Sequence, residues 1–221
     1  ANSNTALGYG AAYGLTSGDS NIAIGHNSMN THTTGIKNIS IGHLAMVDTD
    51  AGGSSLGSSN NIFLGYSSGG GTWADAESSQ NVAIGSYTMD AIMNGASNNT
   101  ALGYNALSAL TSGDNNVAIG KDAGLAITSA SYNTFVGVWC GDAVTDEGYN
   151  TAVGFGAFSA GGGASHTVAM GYNAGNAITD GDYNLIMGAA SGDALTTGGN
   201  NVALGYASLS TATTAYENVA I

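Results

Sequence analysis

The sequence predicts an all-β protein: a parallel β-roll, or β-solenoid, of ~17-residue coils. Three observations predict it. A unit beginning with Asn restarts at Asn4, Asn21, Asn38, Asn61, Asn81, Asn99, Asn116, Asn133, Asn150, Thr167, Asn184, Asn201 and Asn218, at spacings of 17, 17, 23, 20, 18 and then seven of 17. Apolar or β-branched residues occupy the second and fourth positions of each unit. Glycine occupies the fifth position of every complete copy, from Gly8 to Gly205.

The start residue is expected to stack in register with its neighbours. An amide on every coil can bond the amide above and below, as in cross-β ladders. Asn4, Asn21, Asn38, Asn61, Asn81, Asn99, Asn116, Asn133, Asn150, Asn184, Asn201 and Asn218 form this expected ladder, with Thr167 a tolerated substitution. Next comes a short strand. Pairs such as Thr5 and Leu7, Ile22 and Ile24, or Val117 and Ile119 alternate with period two, which places their side chains in the core. The third position then faces away from the core. It reads Ala6, Ala23, Ser40, Phe63, Ala83, Ala101, Ala118, Phe135, Ala152, Ala169, Ile186, Ala203 and Ala220. An uncharged column of this kind predicts a packing surface between copies of the chain, because an open face would be an aggregation hazard.

The recurrent glycine marks a corner that needs a positive φ or leaves no room for a side chain. A second apolar segment, such as Tyr104 to Leu110, predicts a second strand, and a polar turn such as Thr111-Ser112-Gly113-Asp114 closes the coil. Nothing is left over for a helix of ordinary length. Stacked at ~4.8 Å, thirteen starts give a rod of roughly 58 Å. The expectation is one array over residues 1–221, about 12 full coils. Because it begins and ends inside the repeat, it is expected to be a segment of a longer chain.

Composition narrows the function. With two lysines, no arginine and fifteen acids, the net charge is −13. That excludes nucleic-acid binding by phosphate neutralisation and disfavours anionic membranes. No apolar run approaches the ~20 residues of a membrane span, so no membrane insertion is expected. Glycine is abundant (36) and proline absent, while 43% of residues are hydrophobic in a fixed period, which separates this chain from disordered glycine-rich ones. Only 8% are charged, too few for an ordinary wetted surface.

Relative to 17, the spacings between Asn38 and Asn99 carry extra residues. On a solenoid such additions emerge along one edge. Trp73 with Asp75 and Glu77, and Asp48 with Asp50, are the candidate receptor site: an aromatic ring for a sugar face beside acceptor groups. The competing reading is that Trp73 covers a widened turn. His26 and His43 follow the corner glycine in successive coils, where Tyr9, Tyr66 and Tyr104 stand elsewhere, so an aromatic ladder is favoured over a metal pair. Cys140 is read as a small core residue, and the acids as turn formers. No catalytic constellation, metal site or cofactor motif is found, so no enzyme is expected. A threonine column at Thr16, Thr33, Thr111, Thr128, Thr145, Thr179, Thr196 and Thr213 keeps an ice-binding or polysaccharide-binding solenoid as the alternative.

The motif N-[TVI]-A-[LIV]-G-Y-x-A-[LMG], clearest at Asn99 to Leu107 and Asn201 to Leu209, resembles the head repeats of trimeric autotransporter adhesins. It is still more similar to the repeats of phage tail fibres and large bacterial surface proteins. The resemblance covers the whole chain. It implies an extracellular, homotrimeric fibre on a virion tail or bacterial surface, structural and adhesive, with a cell-surface glycan or protein as receptor.

Overall fold

The structure is a computed structural model that describes residues 2–49 and 57–221. It forms two compact units, Ala1–Asn115 and Asn116–Ile221. Each is a parallel β-solenoid that advances one strand per coil. The first unit holds β1 (Thr5–Leu7), β2 (Ile22–Ile24), β3 (Ile39–Ile41), β4 (Ile62–Leu64), β5 (Val82–Ile84) and β6 (Thr100–Leu102). The second holds β7 (Val117–Ile119), β8 (Thr134–Val136), β9 (Thr151–Val153), β10 (Val168–Met170), β11 (Leu185–Met187), β12 (Val202–Leu204) and β13 (Val219–Ala220). Within each unit strands pair in sequence order, and equivalent residues stand opposite one another, as Ala23 does Ser40 and Phe135 does Ala152. The insertions do not disturb this register: Ile39 still pairs with Ile62 across the spacing of 23.

The side chains point the opposite way from the sequence expectation. The third-position residues Ala23, Ser40, Phe63, Ala83, Ala101, Ala118, Phe135, Ala152, Ala169, Ile186 and Ala203 are all buried inside their own coils. The exceptions are Ala6, exposed in the first coil, and Ala220, half-buried in the last. This column therefore cannot be the face that meets another copy. The larger residues at the second and fourth positions stand outside, half-buried or exposed. The reason is parity. The start Asn lies inside, and period two puts the third position on the same side as the first.

The second predicted strand is replaced by a run of turns. After the corner, the seventh and ninth positions take positive φ, as at Asn105 (φ 55) and Leu107 (φ 52), while Ala106 between them does not. Alternation of this kind cannot extend into a strand. Hydrogen bonding between coils continues nonetheless: Trp139 N–H donates to the Lys121 carbonyl at 3.0 Å and Gly124 N–H to the Cys140 carbonyl at 3.0 Å. The corner glycine meets both of its predicted conditions. Gly120 has φ +138, and a Cβ there would stand 2.4 Å from the Gly137 carbonyl oxygen of the next coil.

Three positions share each interior and trade volume. Phe135 packs where Gly141 leaves room, a Cβ on Gly141 falling 2.5 Å from its ring. One coil later the bulk moves to Phe158, with Ala152 and Gly161 small around it. Ile186 sits over Gly192, and Phe63 over Gly69. Cys140 belongs to a neighbouring column of small residues. Its Sγ donates to the Ala152 carbonyl at 3.2 Å as the Ser191 hydroxyl does to Ala203, and burial pushes the thiol up to about 12.

The start residues form a buried ladder. Asn21 N–H donates to Asn4 Oδ1 at 2.8 Å, and Asn38 donates to Asn21 Oδ1 from both its N–H (2.9 Å) and Nδ2 (3.2 Å). The Nδ2 groups before Asn218 also donate across the coil to the polar turn, as Asn150 does to the Ala164 carbonyl at 2.9 Å. In the second unit the ladder runs Asn116, Asn133, Asn150, Thr167 and resumes at Asn184, Asn201, Asn218.

Candidate functional site

The outer face of the sheet is the surface with the most distinctive chemistry. Its two inner columns are the second and fourth positions: Val168 and Met170, Leu185 and Met187, Val202 and Leu204 in the second unit; Ile62 and Leu64, Val82 and Ile84, Thr100 and Leu102 in the first. Every residue there is apolar or threonine, and none is charged. Met170 is 37% exposed and Leu102 44% exposed, so the face is open to water within each unit.

Aromatic rows border this face. In the first unit Tyr9, His26, His43 and Tyr66 follow the corner glycine in successive coils, with ring centroids 5.4, 4.9 and 5.3 Å apart. His26 and His43 thus continue the aromatic row, meeting edge to face at 75°. In the second unit Tyr132, Tyr149, His166 and Tyr183 stack on the other border, immediately before each start residue, at 5.0, 4.9 and 4.9 Å and within 22° of parallel. Their backbones are left-handed (φ 55 to 65), which turns these side chains outward just before the chain enters the strand. Their faces are occupied by one another. What they present outward is ring edges.

Apart from Asp122, which accepts from Trp139 Nε1 at 3.1 Å, and Glu217, which directly precedes Asn218, the acids sit elsewhere on the coil. Asp90, Asp142 and Asp193 hold the tenth position, and Asp19, Asp114 and Asp182 the sixteenth, all in the turn segments. Burial raises Asp90 and Asp142 above the ordinary carboxylate value. Among the described residues no three His, Cys, Asp or Glu side chains come together to hold a metal ion.

The insertion region does not assemble as a ring-and-acid site. Trp73 is fully buried, donates its indole N–H to the Gly69 carbonyl at 3.1 Å and packs on Phe63 at 5.7 Å. It covers the widened turn, and its faces are closed to a sugar. Asp48 accepts from the Thr31 and Thr72 hydroxyls at 3.2 and 2.8 Å, which makes it a brace between coils. Asp75 and Glu77 are exposed without an available aromatic surface at Trp73. Asp50 lies outside the described residues. In the same unit His32 is buried and takes a core role. Its Nε2 accepts from Asn38 Nδ2 at 3.1 Å, which leaves Nδ1 to donate to Thr49 at 2.9 Å.

Part of the threonine column uses its hydroxyl protons internally. Thr16, Thr179 and Thr196 donate to the carbonyls of Thr33, Thr196 and Thr213 at 3.2, 3.3 and 2.8 Å. No protein family, curated protein or solved structure matches the chain.

Proposed function

We propose that the chain is a structural and adhesive segment of an extracellular fibre, such as a virion tail fibre or bacterial surface adhesin. Copies associate through the outer sheet face, and the chain performs no catalysis. Three copies per fibre is the number the repeat resemblance implies. The observation that carries the reading is the uncharged, apolar sheet face, bordered by aromatic rows, on a chain of net charge −13. Copies this acidic repel one another wherever their turns meet, and the sheet face is the surface on which they approach without opposing like charges. In the second unit, seven strands at ~4.8 Å and a width of ~20 Å give a face of roughly 650 Å². Two such faces bury about 1,300 Å², within the size of stable specific interfaces. The ice-binding alternative has less support, since the hydroxyls of Thr16, Thr179 and Thr196 donate to neighbouring coils instead of facing outward as a regular array.

Light scattering on the purified chain tests this. The wild type is expected to be a trimer at micromolar concentration, and Met170→Glu with Met187→Glu a monomer with unchanged circular dichroism. A monomeric wild type, or an oligomer indifferent to both charges, overturns the reading.

A further inference from the structure

The apolar sheet face carries two methionines that the repeat does not require. Met170 and Met187 hold the fourth position of successive coils in the second unit, directly opposite one another in register. In the flanking strands that position is Val153 on one side and Leu204 on the other, so both residues stand within the array, with coils before and after them. Met170 is 37% exposed and Met187 38%. The other four of the chain's six methionines, Met29, Met46, Met89 and Met93, are fully buried inside the first unit.

The two classes of methionine differ in what can reach sulfur. A thioether oxidises when a peroxide collides with it, and a close-packed coil interior excludes the collision. The remaining sulfur, on Cys140, is shut away as well. Its Sγ is buried and bonded to the Ala152 carbonyl at 3.2 Å, and burial holds the thiol up at about 12, which leaves almost no thiolate to react. The oxidisable sulfur open to water therefore lies on the sheet face, where no side chain is charged and the only polar groups are threonine hydroxyls.

We propose that Met170 and Met187 are a peroxide-responsive modification site that governs association of the chain. The thioether sulfur of a free protomer attacks one oxygen of hydrogen peroxide. The S–O bond forms as the O–O bond breaks, and sulfur gives up two electrons to the peroxide. The departing hydroxide collects the proton of the attacked oxygen and leaves as water. The product is a sulfoxide, a polar acceptor in place of a soft apolar group. From β9 to β12 its neighbours on the face are Thr151, Val153, Val168, Leu185, Val202 and Leu204, of which only the threonine has a donor. Closing this face on another copy takes the sulfoxide oxygens out of water with little to bond them, which opposes the contact. Assembly in turn covers the thioethers, so the modification acts before association and association protects against it. The inference rests on the reading that copies associate through this face.

The test begins with the mass of the untreated chain by light scattering. Hydrogen peroxide is then applied across a dilution series and removed with catalase. Each sample is mapped by peptide mass spectrometry, and its mass is read again at micromolar concentration. Oxygen is expected at Met170 and Met187 ahead of the buried Met29, Met46, Met89 and Met93, and its uptake should slow as the chain is concentrated. The oxidised chain should keep its circular dichroism and associate more weakly by roughly tenfold or more. Methionine sulfoxide reductases for both epimers, supplied with a dithiol, should restore the thioethers and the trimer. Oxygen arriving as fast at the buried methionines overturns the inference. So does an oxidised chain that assembles as before, or one that stays monomeric after the reductases have removed both oxygens. An untreated chain that is already monomeric is a separate result: it overturns the fibre reading, and the control of association falls with it.

Discussion

Thr167→Asn should stabilise the second unit. In the regular ladder each start residue offers a side-chain oxygen to the N–H of the next start residue, as Asn150 Oδ1 does to Thr167 N–H at 3.0 Å and Asn184 Oδ1 to Asn201 N–H at 3.0 Å. One rung is missing. Thr167 turns its hydroxyl to the Gly181 and Ser165 carbonyls at 3.3 and 3.4 Å, and among the described residues Asn184 N–H has no bond to it. The Asn184 amide compensates only in part, turning Nδ2 to the Gly181 carbonyl at 2.8 Å. Residues 167 and 184 are 1% and 2% exposed, so water does not satisfy the N–H.

An unpaired buried donor costs about 1–3 kcal/mol. Asparagine at 167 supplies the acceptor, and its Nδ2 takes over the bond to Gly181 that the threonine hydroxyl now makes. Against this stand the rotamer entropy of the new side chain and the loss of two long hydroxyl bonds. The net gain is about 1 kcal/mol. With a urea m-value of ~2–3 kcal/mol/M, the midpoint rises by roughly 0.4 M. Because stacked coils can open piecewise, hydrogen exchange at the Asn184 amide is the sharper assay, and it should slow in the variant. The mirror experiment removes a rung. Asn150→Ala strands Thr167 N–H and the Ala164 carbonyl together and should cost about 3 kcal/mol. Faster exchange at Asn184 in Thr167→Asn, or an Asn150→Ala cost under ~0.5 kcal/mol, would refute the account of the ladder.

Two further expectations concern the interior. Phe135→Ala should cost about 3–5 kcal/mol, and Gly141→Leu should also destabilise, since its side chain meets the Phe135 ring. The double variant places Ala, Leu and Val144 where another coil has Ala101, Leu107 and Leu110, so a denaturation double-mutant cycle should recover at least half of the summed loss. Asp142 has a buried, unpartnered Oδ1, and burial raises its pKa above the ordinary 3.8. A raised folded-state pKa means that its charge destabilises the fold as pH climbs above 3.8. Asp142→Asn should therefore raise the urea midpoint at pH 7 and lose its advantage below pH 3.8, and an advantage that persists in acid would refute this.

Much of the fold is legible in the sequence because the coil repeats. Parallel in-register pairing follows from the restart of Asn-x-Ala-x-Gly. The corner follows from a glycine whose Cβ would strike the next coil, and the Asn ladder from the recurrence itself. The missing second strand was hidden by composition. Tyr104 to Leu110 looks strand-like in apolar content, and nothing in Asn105 or Leu107 taken singly announces a left-handed backbone. The candidate site was misplaced for a different reason. Trp73 reads as an exposed ring when its coil is treated as an insertion. In fact the extra residues bring the indole back over Phe63, filling the interior at that turn.

The direction of the side chains was the decisive ambiguity, and the sequence held its solution. In a strand of three residues, hydrophobicity alone favours burying Val, Ile and Leu and exposing Ala. Two features oppose that choice. An Asn ladder at the first position needs a dry interior, and period two then carries the third position inward with it. Bulk at the third position is also matched by glycine six residues later, in the pairs Phe63 and Gly69, Phe135 and Gly141, Ile186 and Gly192. Residues on opposite faces have no reason to trade volume, so this pairing places both inside. The consequence reaches function. A coil lined largely by Ala, Gly, Ser and Asn buries little apolar area for its length, while its largest aliphatic side chains remain half in water. Such a coil leans on its hydrogen-bond ladder and leaves a hydrophobic driving force unspent on the sheet face. Association through that face would therefore contribute to stability as well as to shape, and the unfolding midpoint of the wild type should rise with protein concentration, whereas that of Met170→Glu with Met187→Glu should not.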